Sequence, residues 1–81
     1  MNNVINMAQS REKLTKAAFD LSLWREGGRT NFTNQLFDLI AKADSSNKNR
    51  LRIAFPVEVS IFEEWQRTGN EARFFEKWGV K

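Results

Sequence analysis

The stretch NFTNQLFDLIAKADSSNKNRLRIAFPVEVSIFEEW, residues 31–65, decides how this chain folds. It holds the majority of the Leu, Ile, Phe and Trp side chains and the only proline. Its second half reads two ways. Leu51, Ile53, Phe55, Val57, Val59 and Ile61 alternate with Arg52, Ala54, Pro56, Glu58 and Ser60. A period of two is the signature of a half-buried strand. Pro56 sits in the middle of that run, where it would remove a ladder hydrogen bond. A strand also needs a partner, and no second alternating run exists. The other reading is helix, proline, helix. The residue before a proline is pushed out of helical angles, so one helix stops near Ala54 or Phe55. Pro56 then opens the next, because the first helical position needs no amide donor. The helical reading is favoured, and an α+β fold with a strand around 50–61 is the alternative.

Working outward, the first half of the stretch is plainly helical. Thr30, Asn31 and Thr33 offer caps. Phe32, Leu36, Leu39, Ile40 and Ala43 then fall at spacings of three and four, with Phe37 and Ala41 widening the stripe. Asp44-Ser45-Ser46 interrupts the pattern and can cap a third, shorter helix. After Pro56, the residues Val57, Ile61 and Trp65 share a face with Phe62 beside them, and Gly69 ends that helix. Asn70 caps a short fifth helix bearing Ala72, Phe75 and Trp78, with Phe74 adjacent. Towards the N-terminus, Ser10 reads as a helix cap. Leu14, Ala17, Ala18, Leu21 and Trp24 form an apolar face behind it, and Gly27-Gly28 stops the helix. Residues 1–9 read as a loose arm, and 10–81 as a single helical domain. The expectation is an all-α bundle of four to five short helices. Its core should include Leu14, Leu21, Trp24, Phe32, Leu36, Leu39, Ile40, Leu51, Phe55, Ile61, Phe62 and Trp65.

Composition narrows the function classes. Eighty-one residues make one domain, and the 41% apolar share, with seven Phe and three Trp, is enough for a core. The chain has no Cys and no His. It therefore lacks the usual nucleophile–base pairs, the commonest metal ligand and the switch that titrates near neutrality. Of its acids, Glu58, Glu63 and Glu64 are the candidates for acid–base work. Adjacent Glu63 and Glu64 point in different directions on a helix, so no converging pair is expected. There is no calcium-loop pattern, and Gly27-Gly28 lacks the setting of a phosphate loop. The expectation is no enzyme, no cofactor and no metal. The N-terminus has no signal-peptide pattern and no run approaches a membrane span, which points to a cytoplasmic protein with no membrane role. A net charge of +3 permits contact with nucleic acid without requiring it.

Part of the chain carries a resemblance. Leu36-Phe37-Asp38-Leu39-Ile40-Ala41-Lys42-Ala43-Asp44, Asn47, Arg50-Leu51, Phe55-Pro56, Val59 and Trp65 follow a pattern L-x-x-L-I-x-K-A-D, N-x-x-R-L, F-P-x-E-V and an aromatic. This resembles a group of small uncharacterised helical proteins of bacteriophages and bacterial mobile elements. Val57 stands where an acid would be expected in that group. The resemblance implies a helical fold and such an origin, and implies no chemistry.

Two clusters remain as candidate sites. Lys42, Ser46, Asn47, Lys48, Asn49, Arg50 and Arg52 cover the end of the second helix, a tight turn and the third helix. These are residue types that contact phosphates and bases, in an order like a helix-turn-helix. The turn lacks the customary glycine and the third helix is short, so an ordinary solvated helix face with ordinary capping is the plainer account. Phe74, Phe75 and Trp78 cannot all face inward on one short helix, and aromatics are enriched in interface cores. A helix lying across the core and burying two of the three is the plainer account. The expected function is a small interaction module that binds a protein, either a host protein or a second copy. A nucleic-acid-binding domain using the basic cluster at 42–52 is the alternative.

Overall fold

The computed structural model describes residues 7–80, and their side chains from residue 11 onward. Five helices follow one another: α1 (Met7–Arg25), α2 (Phe32–Lys42), α3 (Ser45–Ala54), α4 (Pro56–Thr68) and α5 (Glu71–Lys77). The stretch around Pro56 is helix, proline, helix, and the described residues contain no strand. α3 stops at Ala54. Phe55 adopts φ −134° and ψ 65°, and Pro56 is the first residue of α4. Phe55 has thus left the helical region, which the following proline disfavours, although its ψ stops short of the extended range.

α4 is the hub and packs against every other helix. Its buried residues Val59, Ile61 and Phe62 meet Ala17, Ala18 and Leu21 of α1, and Leu36, Phe37 and Ile40 of α2, in one core. Phe74, Trp78 and Val80 close the core from the α5 end. Four aromatic rings, the buried Phe37 and Phe62 and the half-buried Trp24 and Trp65, pack together on one side of the core. Trp24 lies 6.1 Å from Phe37, 5.8 Å from Phe62 and 5.9 Å from Trp65, centroid to centroid. Edge-on and tilted arrangements of this kind suit the charge distribution of aromatic rings.

The turn between α1 and α2 is set by a close approach. A Cβ at Gly28 would lie 2.6 Å from Nδ2 of Asn34 and 3.0 Å from the Leu23 carbonyl. No side chain fits there, so the glycine lets α2 fold back tightly onto α1. Asn31 caps α2 by accepting from the Asn34 amide at 2.8 Å.

The structure moves two expected core residues to the surface. Phe32 is 67% exposed and Leu39 is 51% exposed. The cause is the rotation of α2 about its axis. Its buried face consists of Asn34, Leu36, Phe37 and Ile40, centred nearer Phe37 than the stripe of threes and fours implies. Trp24 fixes that rotation. Its ring packs on Phe37, and its Nε1 donates to Asp38 at 2.8 Å. Of the other expected core residues, Leu21, Leu36, Ile40, Ile61 and Phe62 are buried. Leu14, Trp24, Leu51, Phe55 and Trp65 are half-buried against the core. At the N-terminus α1 begins at Met7, so Ser10 lies inside the helix and residues 7–9 of the expected arm are helical. Residues 1–6 of that arm lie outside the described residues.

Candidate functional site

The basic cluster spans the corner between α2 and α3. Lys42 is the last residue of α2, and only Ala43 and Asp44 separate the two helices. Asp44 accepts from the Asn47 amide at 2.8 Å and so caps α3. From there α3 runs with no acidic residue and with no fully buried one.

The seven residues do not converge on one surface. Lys42, Asn47 and Arg50 line a depression of 370 Å³ together with Leu39, Ala43 and Leu51. Arg52 turns the other way. It donates to Glu63 of α4 through Nη2, and to Oδ1 of Asn49 at 2.7 Å through Nη1. It is a brace between α3 and α4. Lys48 and Arg50 stand two residues apart, about 200° around the helix. Ser46 and Asn49 face solvent. Among the described residues, Lys42, Lys48 and Arg50 have no carboxylate within ion-pair distance. α3 packs chiefly against α4 rather than α2, unlike the two helices of a helix-turn-helix, which pack on each other.

The rotation of α2 gives this corner an apolar edge. Phe32 and Leu39 are seven residues apart and therefore share one side of the helix. Phe32 meets Phe55 at 5.8 Å between centroids, and Leu39 meets Leu51 across the depression. The α2–α3 edge thus runs from a pair of phenylalanines, past two leucines, to Lys42 and Arg50. Sequence reasoning found the cations and missed the apolar edge, because Phe32 and Leu39 fit the helical stripe as well as the true core residues do. The nearest signal was the pair Phe37 and Asp38, placed to face Trp24 as a ring contact and a hydrogen-bond acceptor.

The aromatic cluster of α5 is mostly internal. Phe74 and Trp78 are buried, and Phe75 is half-buried with its ring at 5.1 Å from that of Phe74. The helix therefore buries two of the three aromatics, as the plainer reading of the sequence expects, and leaves Phe75 as the one partly exposed ring of the alternative external patch. α5 lies across the ends of α1 and α4, and its seven residues are held at both ends by carboxylates. Glu71 accepts from Nε of Arg25 at 2.8 Å and from Nε1 of Trp65 at 3.1 Å. The Arg25 hydrogen bond holds the Glu71 carboxyl below its usual range, with burial opposing and the Trp65 hydrogen bond assisting. Glu64 accepts from Nζ of Lys77 at 2.6 Å and from Nε1 of Trp78 at 3.4 Å. Glu63 and Glu64 thus serve different helices, α3 and α5. Among the described residues no group of three acids, Cys or His gathers where a metal ion could sit. None of the described helices is long and apolar enough to cross a membrane.

Compared with protein-family models, with curated proteins and with solved structures, the chain matches none. What can be said of its site rests on its own residues.

Proposed function

We propose that this chain is a small non-enzymatic module that binds a protein partner, and that its docking surface is the α2–α3 edge. One observation carries the reading. Phe32 and Leu39, each at least half exposed, lie on one edge of α2 that leads to Lys42 and Arg50, two cations with no ion-pair partner among the described residues. Large apolar side chains held in the open beside unneutralised charge mark interaction surfaces more often than they mark bare solvent faces. The complementary ligand is an amphipathic segment, apolar on one side and acidic at the flank, laid along the helix pair. Covering the exposed parts of Phe32 and Leu39 is worth about 1–2 kcal/mol each. The exposed ion pairs are worth up to about 1 kcal/mol each, and chiefly govern orientation and association rate. The absence of His and Cys supports a binding role over catalysis. An origin in a phage or mobile element rests on the L-x-x-L-I-x-K-A-D pattern alone.

The test uses a synthetic amphipathic peptide with a leucine stripe and glutamate flanks, titrated into the labelled protein and followed by amide chemical shifts. Shifts should concentrate at residues 32–42 and 47–55. Phe32→Glu should abolish binding, and Lys42→Glu with Arg50→Glu should weaken it about tenfold. A peptide with the same stripe and lysine flanks should bind poorly. Equal binding by the Phe32→Glu variant would sink the idea.

Nucleic-acid binding is a second reading, favoured by the partnerless Lys42, Lys48 and Arg50 beside a two-residue turn. The wide angle between Lys48 and Arg50 and the engagement of Arg52 with Glu63 weigh against it. It requires salt-sensitive retention of DNA or RNA, with a shallower salt slope after Lys48, Arg50 and Arg52 are changed to Ala. No gel shift at low salt ends it.

A further inference from the structure

A larger cleft lies elsewhere, where α5 runs against the C-terminal end of α1. It encloses 590 Å³. Ala72, Phe75 and Val80 contribute its apolar lining, and Arg25, Glu26, Glu71 and Glu76 contribute its charged groups. Arg25 is already neutralised by Glu71 at 2.8 Å. Among the described residues Glu26 and Glu76 have no basic partner, so the uncompensated charge of the cleft is negative.

The chain also presents an element of opposite character. α3 reads SSNKNRLRIA and has no acid in its ten residues. Ile53 on its outer face is 85% exposed, the most exposed large hydrophobic among the described residues. Arg50, without a carboxylate partner, lies one turn before Ile53 on the same side of the helix. α3 and α5 do not pack on each other within the molecule, so this helix does not fill the chain's own cleft.

We propose that the outward face of α3 docks in the α1–α5 cleft of a second copy of this chain. Ile53 sits on Phe75, Ala72 and Val80, and Arg50 reaches Glu26 and Glu76. Donor and acceptor surfaces differ, so the contact is head-to-tail and can repeat from copy to copy until a ring closes or a chain grows. One helix face in one cleft is small for an interface, so the association is weak, with a dissociation constant of roughly 10⁻⁴ M. The proposal does not rest on the α2–α3 edge binding a partner: the two readings share Arg50, but Ile53 is about 200° around α3 from Leu51, which lines that edge.

Sedimentation of the full chain over micromolar to millimolar concentration tests it. The weight-average mass should rise with concentration, and the rise should shrink as salt is added. Ile53→Asp and Ala72→Arg should each abolish the rise. Both positions are exposed, so circular dichroism should show the fold intact. Arg50→Glu alone and Glu26→Lys with Glu76→Lys alone should each associate at least tenfold more weakly. A mixture of those two charge-reversed proteins should form complexes that neither forms by itself. A monomer at every concentration overturns the proposal. So does association that survives Ile53→Asp and Ala72→Arg, or a mixture no better than its components. Ala72→Arg should leave binding of the acidic peptide unchanged, which separates failure here from failure of the α2–α3 reading.

Discussion

α3 and α4 are separated by a single residue, Phe55, and share one alternating apolar run, yet they occupy opposite positions in the fold. α4 buries Val59, Ile61 and Phe62 and touches all four other helices. α3 buries nothing completely and leans on α4. The difference lies in how far the apolar residues reach around each helix. In α4, Val57, Ile61 and Trp65 mark one side while Val59 and Phe62 extend it, wide enough for several neighbours. In α3, Leu51 is the inward residue, followed by Phe55 just past its end, and Ile53 points away. A helix with so narrow a stripe needs one neighbour only. Its remaining surface is free to meet something else, and the cations and Ile53 stand there.

The sharpest test of this contrast compares one truncation in each helix. Phe62→Ala removes a fully buried ring from the hub and should cost about 3–5 kcal/mol. A domain of this size is stable by roughly 0.05–0.15 kcal/mol per residue, so that loss removes a large share of its stability and lowers its urea midpoint sharply. Leu51→Ala removes a half-buried side chain from the rim and should cost about 1–2 kcal/mol, with the other helices intact. Urea unfolding followed by tryptophan fluorescence measures both. Equal costs would mean that α3 is part of the core after all.

Next in size is the cap. Asp44→Ala leaves the first amides of α3 without their acceptor and should cost about 1 kcal/mol. The more telling readout is hydrogen exchange. If α3 is an appended helix, its amides should lose protection while those of α4 keep theirs, because α3 then opens as a local unit. Loss of protection in both helices together would join them into one cooperative element and break the contrast.

Much of this architecture is legible in the sequence, and the part that is not has a physical reason. Pro56, set in a period-two run, tips the reading from strand to helix without closing the alternative, because proline acts on the backbone locally. Asp44 and Asn70 are legible as caps on the same local grounds. The rotation of α2 is not local. Phe32, Leu36, Leu39 and Ile40 form as good a stripe as Leu36, Phe37 and Ile40. Contacts distant in sequence select between them: Phe37 against Trp24 and Phe62, and the Trp24 hydrogen bond to Asp38, fourteen residues on. The apolar edge at Phe32 and Leu39 was hidden for that reason. That α5 buries two of its three aromatics is legible, and which two go inward is not, since Glu64 of α4 receives Lys77 and Trp78 at that end. Basic residues at 42–52 were legible as a set but not as a surface. Arg52 leaves the set for Glu63, a partner on the next helix.

The polar ties of α4 extend the contrast to smaller effects. One pair, Arg52 with Glu63, fastens α3, and both side chains are partly exposed. Arg52→Ala should therefore cost less than about 1 kcal/mol, well below Leu51→Ala. A larger loss would show that α3 is held by charge more than by its leucine.

At the other end, α4 and α1 hold α5 through Glu71, and here the effect depends on pH. The Arg25 hydrogen bond keeps the folded-state carboxyl of Glu71 below its ordinary value of 4.5. Folding therefore favours the ionised form. The stabilisation is fully present above the unfolded value, and it is lost as pH falls through the folded one. The side chain is 44% exposed, so solvent screens the pair and the contribution stays under about 1 kcal/mol. Glu71→Gln keeps an oxygen that can accept from Trp65 and Arg25 and removes only the charge. Urea midpoints of the two proteins should differ at neutral pH, begin to approach each other below the ordinary value of 4.5, and converge once pH has fallen through the lowered folded one. A difference that persists unchanged into acid would mean that hydrogen-bond geometry alone docks α5. The tie would then be as indifferent to charge as the leucine contact that docks α3.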